Sequence, residues 1–182
     1  MRALTVGVAV ALVLGGCASG SGTFGSGAGL IAANYLASDR LIESARAQLD
    51  PARPIIVATV VDIDELERSS TLGRHISESV SSRFTQHHYR MIEMKFQNSV
   101  YMKRGEGELM LTRELREIAS THQAQAVIVG TYSRARNAVL VNVKIVQPES
   151  NVVLGAVDYS IQVDRDICTM VQRDTRDCRE YY

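Results

Sequence analysis

Two hydrophobic patterns alternate along the chain, and together they predict a mixed α/β domain. Apolar residues recur at helical spacing in three segments, whereas in five others they form short continuous runs or alternate with polar residues, as in strands. The predicted order is therefore α, β, α, β, α, β, β, β. Two right-handed crossovers followed by a meander give a single mixed sheet of about five strands, with the helices packed on the sheet.

The three predicted helices are placed by their spacing and their caps. The first covers Leu30 to Leu49, where apolar side chains approximate helical spacing. The second is capped by Ser69 or Ser70 and repeats an apolar residue every fourth position to about His87. The third runs from Thr112 to about Gln123.

The strands are predicted from apolar runs and turn residues. Ile55 to Val61 is apolar on both faces and rich in β-branched residues, which predicts a central strand covered on both sides. A second strand is expected around Met91-Ile92. Three more follow from Ala126 onward, with a tight hairpin turn at Arg136-Asn137 between the first two of them.

The first seventeen residues predict a lipoprotein export signal. One basic residue, Arg2, precedes an apolar run that ends near Leu14, too short to cross a bilayer as a helix. The sequence Leu14-Gly15-Gly16-Cys17 resembles a lipobox, in which the bond between Gly16 and Cys17 is cleaved and Cys17 is lipidated. An ordinary signal peptide with an incidental cysteine is the alternative. We expect covalent lipid on Cys17, including palmitate, and no other cofactor.

The lipobox divides the chain into four predicted parts. Residues 1–16 are a signal peptide, 17–29 the lipidated cysteine with a flexible glycine- and serine-rich tether, 30–163 the α/β domain, and 164–182 a charged tail. Fully extended, the twelve tether residues after the cysteine span at most about 40 Å. That reach is short for crossing the periplasm.

The residues after the cysteine predict the compartment. Ala18 and Ser19 stand where an aspartate commonly signals retention in the inner membrane of enteric-type bacteria, so by that resemblance the protein is sorted to the outer membrane. The domain would face the periplasm or the cell surface. The chain carries 20 basic and 20 acidic residues and no basic stripe interleaved with aromatics, so nucleic acid is not an expected partner.

The two cysteines in the tail predict a disulfide. With Cys17 used for lipid, Cys168 and Cys178 remain as a pair in an oxidising compartment. Closing this short loop would stabilise the fold by about 2.5 kcal/mol. A metal site is the alternative, but the residues between the two cysteines include no histidine or further cysteine.

No segment carries a strong catalytic or metal-binding motif. The acidic run from Asp62 to Glu67 lacks the turn glycine and distal glutamate of an EF-hand, so we interpret it as a solvated strand-to-helix loop. His75 and His87 are too far apart along one helix to share a metal, and His87 and His88 suit the dipole at the end of that helix. The Gly-x-Gly at 105–107 stands beside two glutamates, unlike a phosphate-binding loop. We expect no catalytic residue and no metal.

Several segments in order resemble one family. The runs "IIVATVVDIDELERSSTLGRHISESVSSRF", "YRMIEMK", "GEGELMLTRELREIA" and "AVIVGTY" are similar to the FlgO domain of outer-membrane lipoproteins associated with the bacterial flagellum. The likeness covers roughly Pro54 to Ile161. It implies a non-enzymatic lipoprotein that supports flagellar assembly, stability and motility through contacts with flagellar or other envelope proteins, and a homo-oligomer is possible. The cysteine-bearing tail is not part of this resemblance.

Two other functions stay open on the sequence alone. One is an envelope regulator unrelated to flagella, for example a lipoprotein that activates a peptidoglycan synthase. The other is a hydrolase whose catalytic residues come from distant positions, which would need a pocket containing a perturbed acid or base. We also expect the irregular segment Gln97 to Leu109 or a sheet edge to carry protein contacts, because long loops often carry function.

Overall fold

The computed structural model describes residues 26–66, 69–93, 113–171 and 178. Four helices and six strands follow one another along them. In chain order they are α1 (Ser26–Ala45), β1 (Ile55–Val57), β2 (Val61–Asp62), α2 (Thr71–Gln86), β3 (Met91–Glu93), α3 (Arg113–Thr121), β4 (Ala126–Arg134), β5 (Ala138–Val146), β6 (Val153–Gln162) and α4 (Arg165–Val171). The predicted mixed α/β class is confirmed.

The strands form one open mixed sheet in the order β3-β1-β4-β5-β6, with β2 also paired to β4. β3, β1 and β4 run parallel, and Ile56 of β1 lies between Ile92 and Val127 in the register. β4, β5 and β6 form the predicted antiparallel meander, in which Val143 of β5 lies between Gly130 and Val157.

The first predicted strand is divided into β1 and β2, because a side chain of α2 bonds two of the backbone groups between them. The Ser77 hydroxyl accepts a hydrogen bond from Val60 N at 2.8 Å and lies 3.1 Å from Ala58 O. The helix comes this close because residue 73 is glycine: a Cβ there would lie 2.0 Å from Val60 O. The sequence predicts a continuous strand over Ile55 to Val61. The structure differs because the apolar pattern of this segment does not reveal its contact with α2.

Both ends of α1 differ from the prediction. The helix begins at Ser26 rather than Leu30, so its first turn is made of residues that we assigned to the tether. It ends at Ala45 rather than Leu49, because Gln48 N donates to Ala45 O at 2.9 Å and the chain tightens into a turn. A helix can include small residues such as Gly29 at an exposed position, because the cost per glycine is only about 1 kcal/mol.

The beginning of the tail is helical, whereas the sequence analysis expects an irregular segment there. Asp164 caps α4: its Oδ1 accepts a hydrogen bond from Ile167 N at 2.8 Å. Ile167 and Val171 of this helix are buried in the larger core. The charged tail therefore begins with a short amphipathic helix that packs on the larger core.

The sheet carries helices on both faces, but unequally. The larger core includes residues of α1, α2 and α4 on one face of the sheet, among them Leu41, Ile76, Phe84 and Ile167. On the other face, Leu115 and Ala119 of α3 pack in a smaller core with residues of β1 and β4. This smaller core reaches β5 only at Val146, so most of that face of β5 and β6 lies outside it.

Candidate functional site

The part of the sheet left outside the smaller core forms a shallow groove of about 410 Å³. Across its floor runs one row of paired residues, Thr131 of β4, Asn142 of β5 and Asp158 of β6. Asn142 Nδ2 donates a hydrogen bond to Asp158 Oδ1 at 2.7 Å. Leu140 and Ile63 border the row, and each side chain is 51% exposed. The surface thus combines short polar groups with two exposed aliphatic ones.

The lining of this surface is suited to contacts with another molecule. Its described lining offers one carboxylate, on Asp158, together with hydroxyls on Thr131, Ser133 and Ser160. It includes no histidine or cysteine that could form a nucleophile–base pair with these hydroxyls. Exposed apolar side chains beside hydrogen-bonding groups are typical of protein interaction sites. We therefore take this surface as the candidate functional site.

The acidic segment after β2 is not the fully solvated loop that the sequence analysis expects. Asp62 is buried, and its Oδ1 accepts a hydrogen bond from Asp64 N at 3.0 Å. Its Oδ2 lies 3.7 Å from Nε of Arg134. Asp62 therefore closes the turn that follows β2 and balances a cation at the end of β4. Within the described ranges, no three metal-ligating side chains gather at any one point.

A charged cluster joins the two longest helices. Arg83 of α2 binds the Asp39 carboxylate of α1 at two points, with Nε to Oδ1 at 2.7 Å and Nη2 to Oδ2 at 2.8 Å. His87 Nε2 lies 2.8 Å from the same Oδ1. The guanidinium also lies over the Tyr35 ring, with its carbon 5.3 Å from the ring centroid. The hydrogen bond from Arg83 lowers the pKa of Asp39, and burial opposes this only in part.

The cluster adds a side-chain partner to one of the histidines. The sequence predicts that His87 suits the dipole at the end of α2, and the structure also gives its side chain an acidic partner on α1. His88 follows with a φ of 67°, so the chain reverses there and the two side chains do not form a pair. His75 lies three turns earlier on α2. The cluster binds α1 to α2 at a partly exposed position, and we assign it a structural role.

A second polar contact, not foreseen from the sequence, holds α1 on the sheet. The Tyr159 hydroxyl of β6 donates to Asn34 Oδ1 at 2.8 Å, and burial raises the pKa of Tyr159. Asn34 is fully buried, and no atom of the described part of the chain makes a hydrogen bond with its Nδ2. The signal in the sequence is an asparagine at a helix position where the spacing requires an apolar residue.

Several predicted sites lie outside the described residues. They are Cys17, the cleavage site after Gly16 and the contact segment Gln97 to Leu109. Cys168 and Cys178 are described, and the structure joins them through their sulfur atoms with 5.8 Å between the Cα atoms. Both are buried. Oxidation of this pair in the protein itself stays a prediction.

The helices of the described part include none long and apolar enough to span a membrane. Two residues of the segments that resemble the FlgO domain, Ser70 and Gly130, have a role in the fold. Ser70 Oγ accepts a hydrogen bond from Gly73 N at 2.9 Å and caps α2. A Cβ at Gly130 would lie 3.0 Å from Val60 Cγ2, so this glycine permits close packing of the chain between β1 and β2 on β4.

The chain matches one protein family and shares its fold with several solved structures. The family model of the FlgO protein matches residues 35–166. No curated protein sequence matches the chain. The C-terminal domain of LpoB from Salmonella enterica has a similar structure, with a TM-score of 0.53 and 11% identity over 74% of this chain and 98% of that one.

Two further solved structures agree with this likeness. The C-terminal domain of LpoB from Escherichia coli gives a TM-score of 0.51 at 11% identity, covering 72% of this chain and 97% of that one. The NMR structure of E. coli LpoB gives 0.52 at 12% identity, covering 74% and 68%. At such low identity these similarities establish a shared fold and nothing finer.

Proposed function

The chain belongs to the FlgO family, and from this premise we propose that the protein is an outer-membrane lipoprotein that supports flagellar assembly, stability and motility through protein contacts. The match to the family model over residues 35–166 is the observation that carries the proposal. The role we propose is not catalytic. The contact surface on the sheet, with its exposed aliphatic side chains and short polar groups, supports a binding function.

The anchor we propose is the lipid on Cys17, which would hold the domain close to the membrane. Because α1 begins at Ser26, only residues 18–25 separate the cysteine from the folded domain. Even fully extended, eight residues span at most about 30 Å. The domain would then act on structures near the membrane surface, as a component of the flagellar envelope structure would.

The alternative is an envelope regulator unrelated to flagella. The specific observation in its favour is the fold that the chain shares with the LpoB domains. A regulator that activates a peptidoglycan synthase would have to reach its enzyme from the same short tether. This second candidate predicts association with the outer membrane but none with the flagellum.

The test is immunodetection of the protein in purified hook–basal bodies and in outer-membrane fractions. Wild-type cells are compared with a Cys17→Ser strain, and a Glu149→Gln strain serves as a control for an exposed change in the β5–β6 turn. We expect the protein in basal bodies of the wild type and the control, and its loss from them in Cys17→Ser. Recovery in the outer membrane without any in basal bodies would reject the flagellar role and favour the regulator.

A further inference from the structure

We propose that the outer edge of β6 is a docking site for an extended segment of a protein partner, which adds to the sheet as a further strand and places a basic side chain opposite Asp158. The inference rests on the part of the proposed function that makes the chain a protein-binding module. It does not depend on the flagellum. Addition of a strand to an exposed sheet edge is a common mode of peptide recognition.

The backbone of β6 has hydrogen-bonding groups available along this edge. β6 is the last strand of the described sheet and pairs only with β5. Val163 N donates to Asn137 O at 3.0 Å, and the register then continues without a shift up to the pair Gly155 and Ile145.

In an antiparallel ladder, hydrogen-bonded and non-bonded pairs alternate. Counting from Val163, every second residue of β6 forms its backbone hydrogen bonds with β5. The residues between them direct their N–H and C=O groups away from β5, towards the open edge. These are Ala156, Asp158, Ser160 and Gln162. Among the described residues, no backbone–backbone hydrogen bond in turns, loops or caps uses these outward groups. The side chains of all four are exposed, and none is bulky enough to cover the edge.

The edge lacks most of the features with which proteins usually protect a terminal strand. Such strands are short, or carry several charged residues, above all lysine, or proline or a bulge. β6 is ten residues long and contains neither lysine nor proline. The irregularity in its register lies near its first residue, at Ile145 and Val146 of the partner strand. From Gly155 to Gln162 the edge is therefore regular and open, as an added strand requires.

One charge on β6 determines which partner fits. Asp158 is the only charged residue of the strand, and Asn142 binds one of its two carboxylate oxygens. A residue directly opposite on an added strand would have its Cβ about 5 Å away, and opposite charges at that distance stabilise the pair. A basic residue at this position of the partner is therefore favoured, and an acidic one is disfavoured.

The position of α1 favours a single strand over a second copy of this chain. The helix lies along the other face of β6: a Cβ on Gly155 would be 3.0 Å from Ala45 Cβ, and Tyr159 binds Asn34. If two β6 strands paired antiparallel, both α1 helices would lie on the same face, about one strand spacing of 4.8 Å apart. Packed helices need about 8–10 Å between their axes. An extended segment with no helix behind it avoids this clash.

The experiment uses the purified mature chain in detergent and a displayed library of random 12-residue peptides as the probe. Peptides selected on the chain are synthesised, and amide hydrogen exchange of the protein is followed by NMR with and without each peptide. We expect exchange to slow by about tenfold or more at Ala156, Asp158, Ser160 and Gln162. The selected peptides should share a basic residue within an extended, β-branched pattern.

Charge reversal distinguishes a specific contact at Asp158 from non-specific electrostatic attraction between the peptide and the protein. Asp158→Lys should weaken peptide binding about threefold or more, whereas Glu149→Lys, the matched exposed change in the β5–β6 turn, should leave it unchanged. Asp158→Asn should give an intermediate loss, and it guards against a folding defect in the reversal variant. Equal weakening by the two lysine variants would reject the basic contact.

The remaining outcomes also decide the proposal. Failure to select any binding peptide, or slowed exchange elsewhere than on the edge of β6, overturns it. Slowed exchange at the same four amides without peptide, increasing with protein concentration, would assign the edge to a second copy instead. If no peptide binds the edge of β6 but the protein is recovered in basal bodies, only this docking site is rejected. If peptides bind the edge but the protein is absent from basal bodies, only the flagellar role is rejected.

Discussion

The two halves of the sheet bury their residues in different ways. In the parallel half, β1 is buried throughout and β4 begins with seven buried residues in succession. In the antiparallel half, buried and exposed residues largely alternate along β5 and β6. Among the described residues, helices cover both faces of the parallel half, whereas most of one face of β5 and β6 lies outside the cores. β3 and β6 are the two edge strands of the sheet, and the edge along β6 adjoins this uncovered face.

The largest expected effect contrasts two positions of one strand. Ile145 and Leu140 both belong to β5, but Ile145 is fully buried under the helices and Leu140 is half exposed in the groove. Ile145→Ala should lower the free energy of unfolding by about 2–5 kcal/mol, through lost burial and the cavity it leaves. Leu140→Ala should change it by less than about 0.5 kcal/mol. Urea denaturation of both variants measures the difference, and similar losses would contradict the assignment of the faces.

The disulfide predicted in the tail should stabilise the fold, and its first cysteine lies in α4, which packs on the larger core. Non-reducing peptide mapping should recover one peptide pair joined through Cys168 and Cys178. The double variant Cys168→Ser and Cys178→Ser should be less stable by about 2.5 kcal/mol, because its unfolded chain is no longer closed into a loop. Reduction of the wild type should produce the same loss. If reducing agent leaves the wild-type denaturation curve unchanged, the cysteines are not bonded in the protein.

A smaller effect is expected where α2 approaches the chain between β1 and β2. Gly73→Ala should destabilise the fold by about 1–3 kcal/mol, because the new methyl group would collide with Val60 O and force the backbone apart. Gly29→Ala is the matched control in α1, where an added Cβ meets nothing within 4 Å. It should stabilise the helix by about 0.5–1 kcal/mol. Thermal denaturation followed by circular dichroism compares the two, and a harmless Gly73→Ala would disprove the close contact.

The smallest effect, and the only one that depends on pH, comes from Asp39. Its hydrogen bond with Arg83 lowers its folded pKa below the unfolded value, so the folded state favours the carboxylate. The stabilisation is present above the unfolded pKa of about 3.9 and disappears as the pH falls through the folded value. Asp39→Asn should therefore be less stable than wild type at neutral pH, and the difference should close in acid.

The control for this titration is Glu43→Gln on the same helix. Glu43 forms an ion pair with Arg46 in which both side chains are largely exposed, so its removal should have little effect at any pH. Urea denaturation at pH 7 and near pH 3 measures both variants. A difference between wild type and Asp39→Asn that persists unchanged in acid would show that charge does not carry the contact.

The sequence predicts most elements, because periodicity reports which faces a segment buries. The alternation in β5 and β6 and the continuous apolar run at β1 both reflect real helix coverage. The sequence does not reveal the break between β1 and β2 or the helix in the tail. The break depends on the approach of α2, where the Ser77 hydroxyl bonds both Val60 N and Ala58 O. The helix in the tail depends on its cap at Asp164 and on the burial of Ile167 and Val171 in the larger core. The periodicity of a segment does not show which residues of other segments it contacts.

The candidate site was less accessible to prediction than the fold. A sheet edge was expected to carry protein contacts, but nothing in the pattern identifies which strand is last in the sheet. Asn142 and Asp158 are 16 residues apart and meet only through the register of β5 and β6. Asp39 and Arg83 are 44 residues apart and meet only where α1 packs on α2.

By itself, the sequence determined the class of the fold, the family and the expectation of a lipid anchor. These follow from local features: apolar spacing, turn residues, and a short apolar run before a cysteine. The tertiary structure alone decided which face of the sheet stays open, which strand forms its edge and which charged residues are paired. The physical reason is that these properties belong to pairs of segments distant in the chain, and only their packing brings them together.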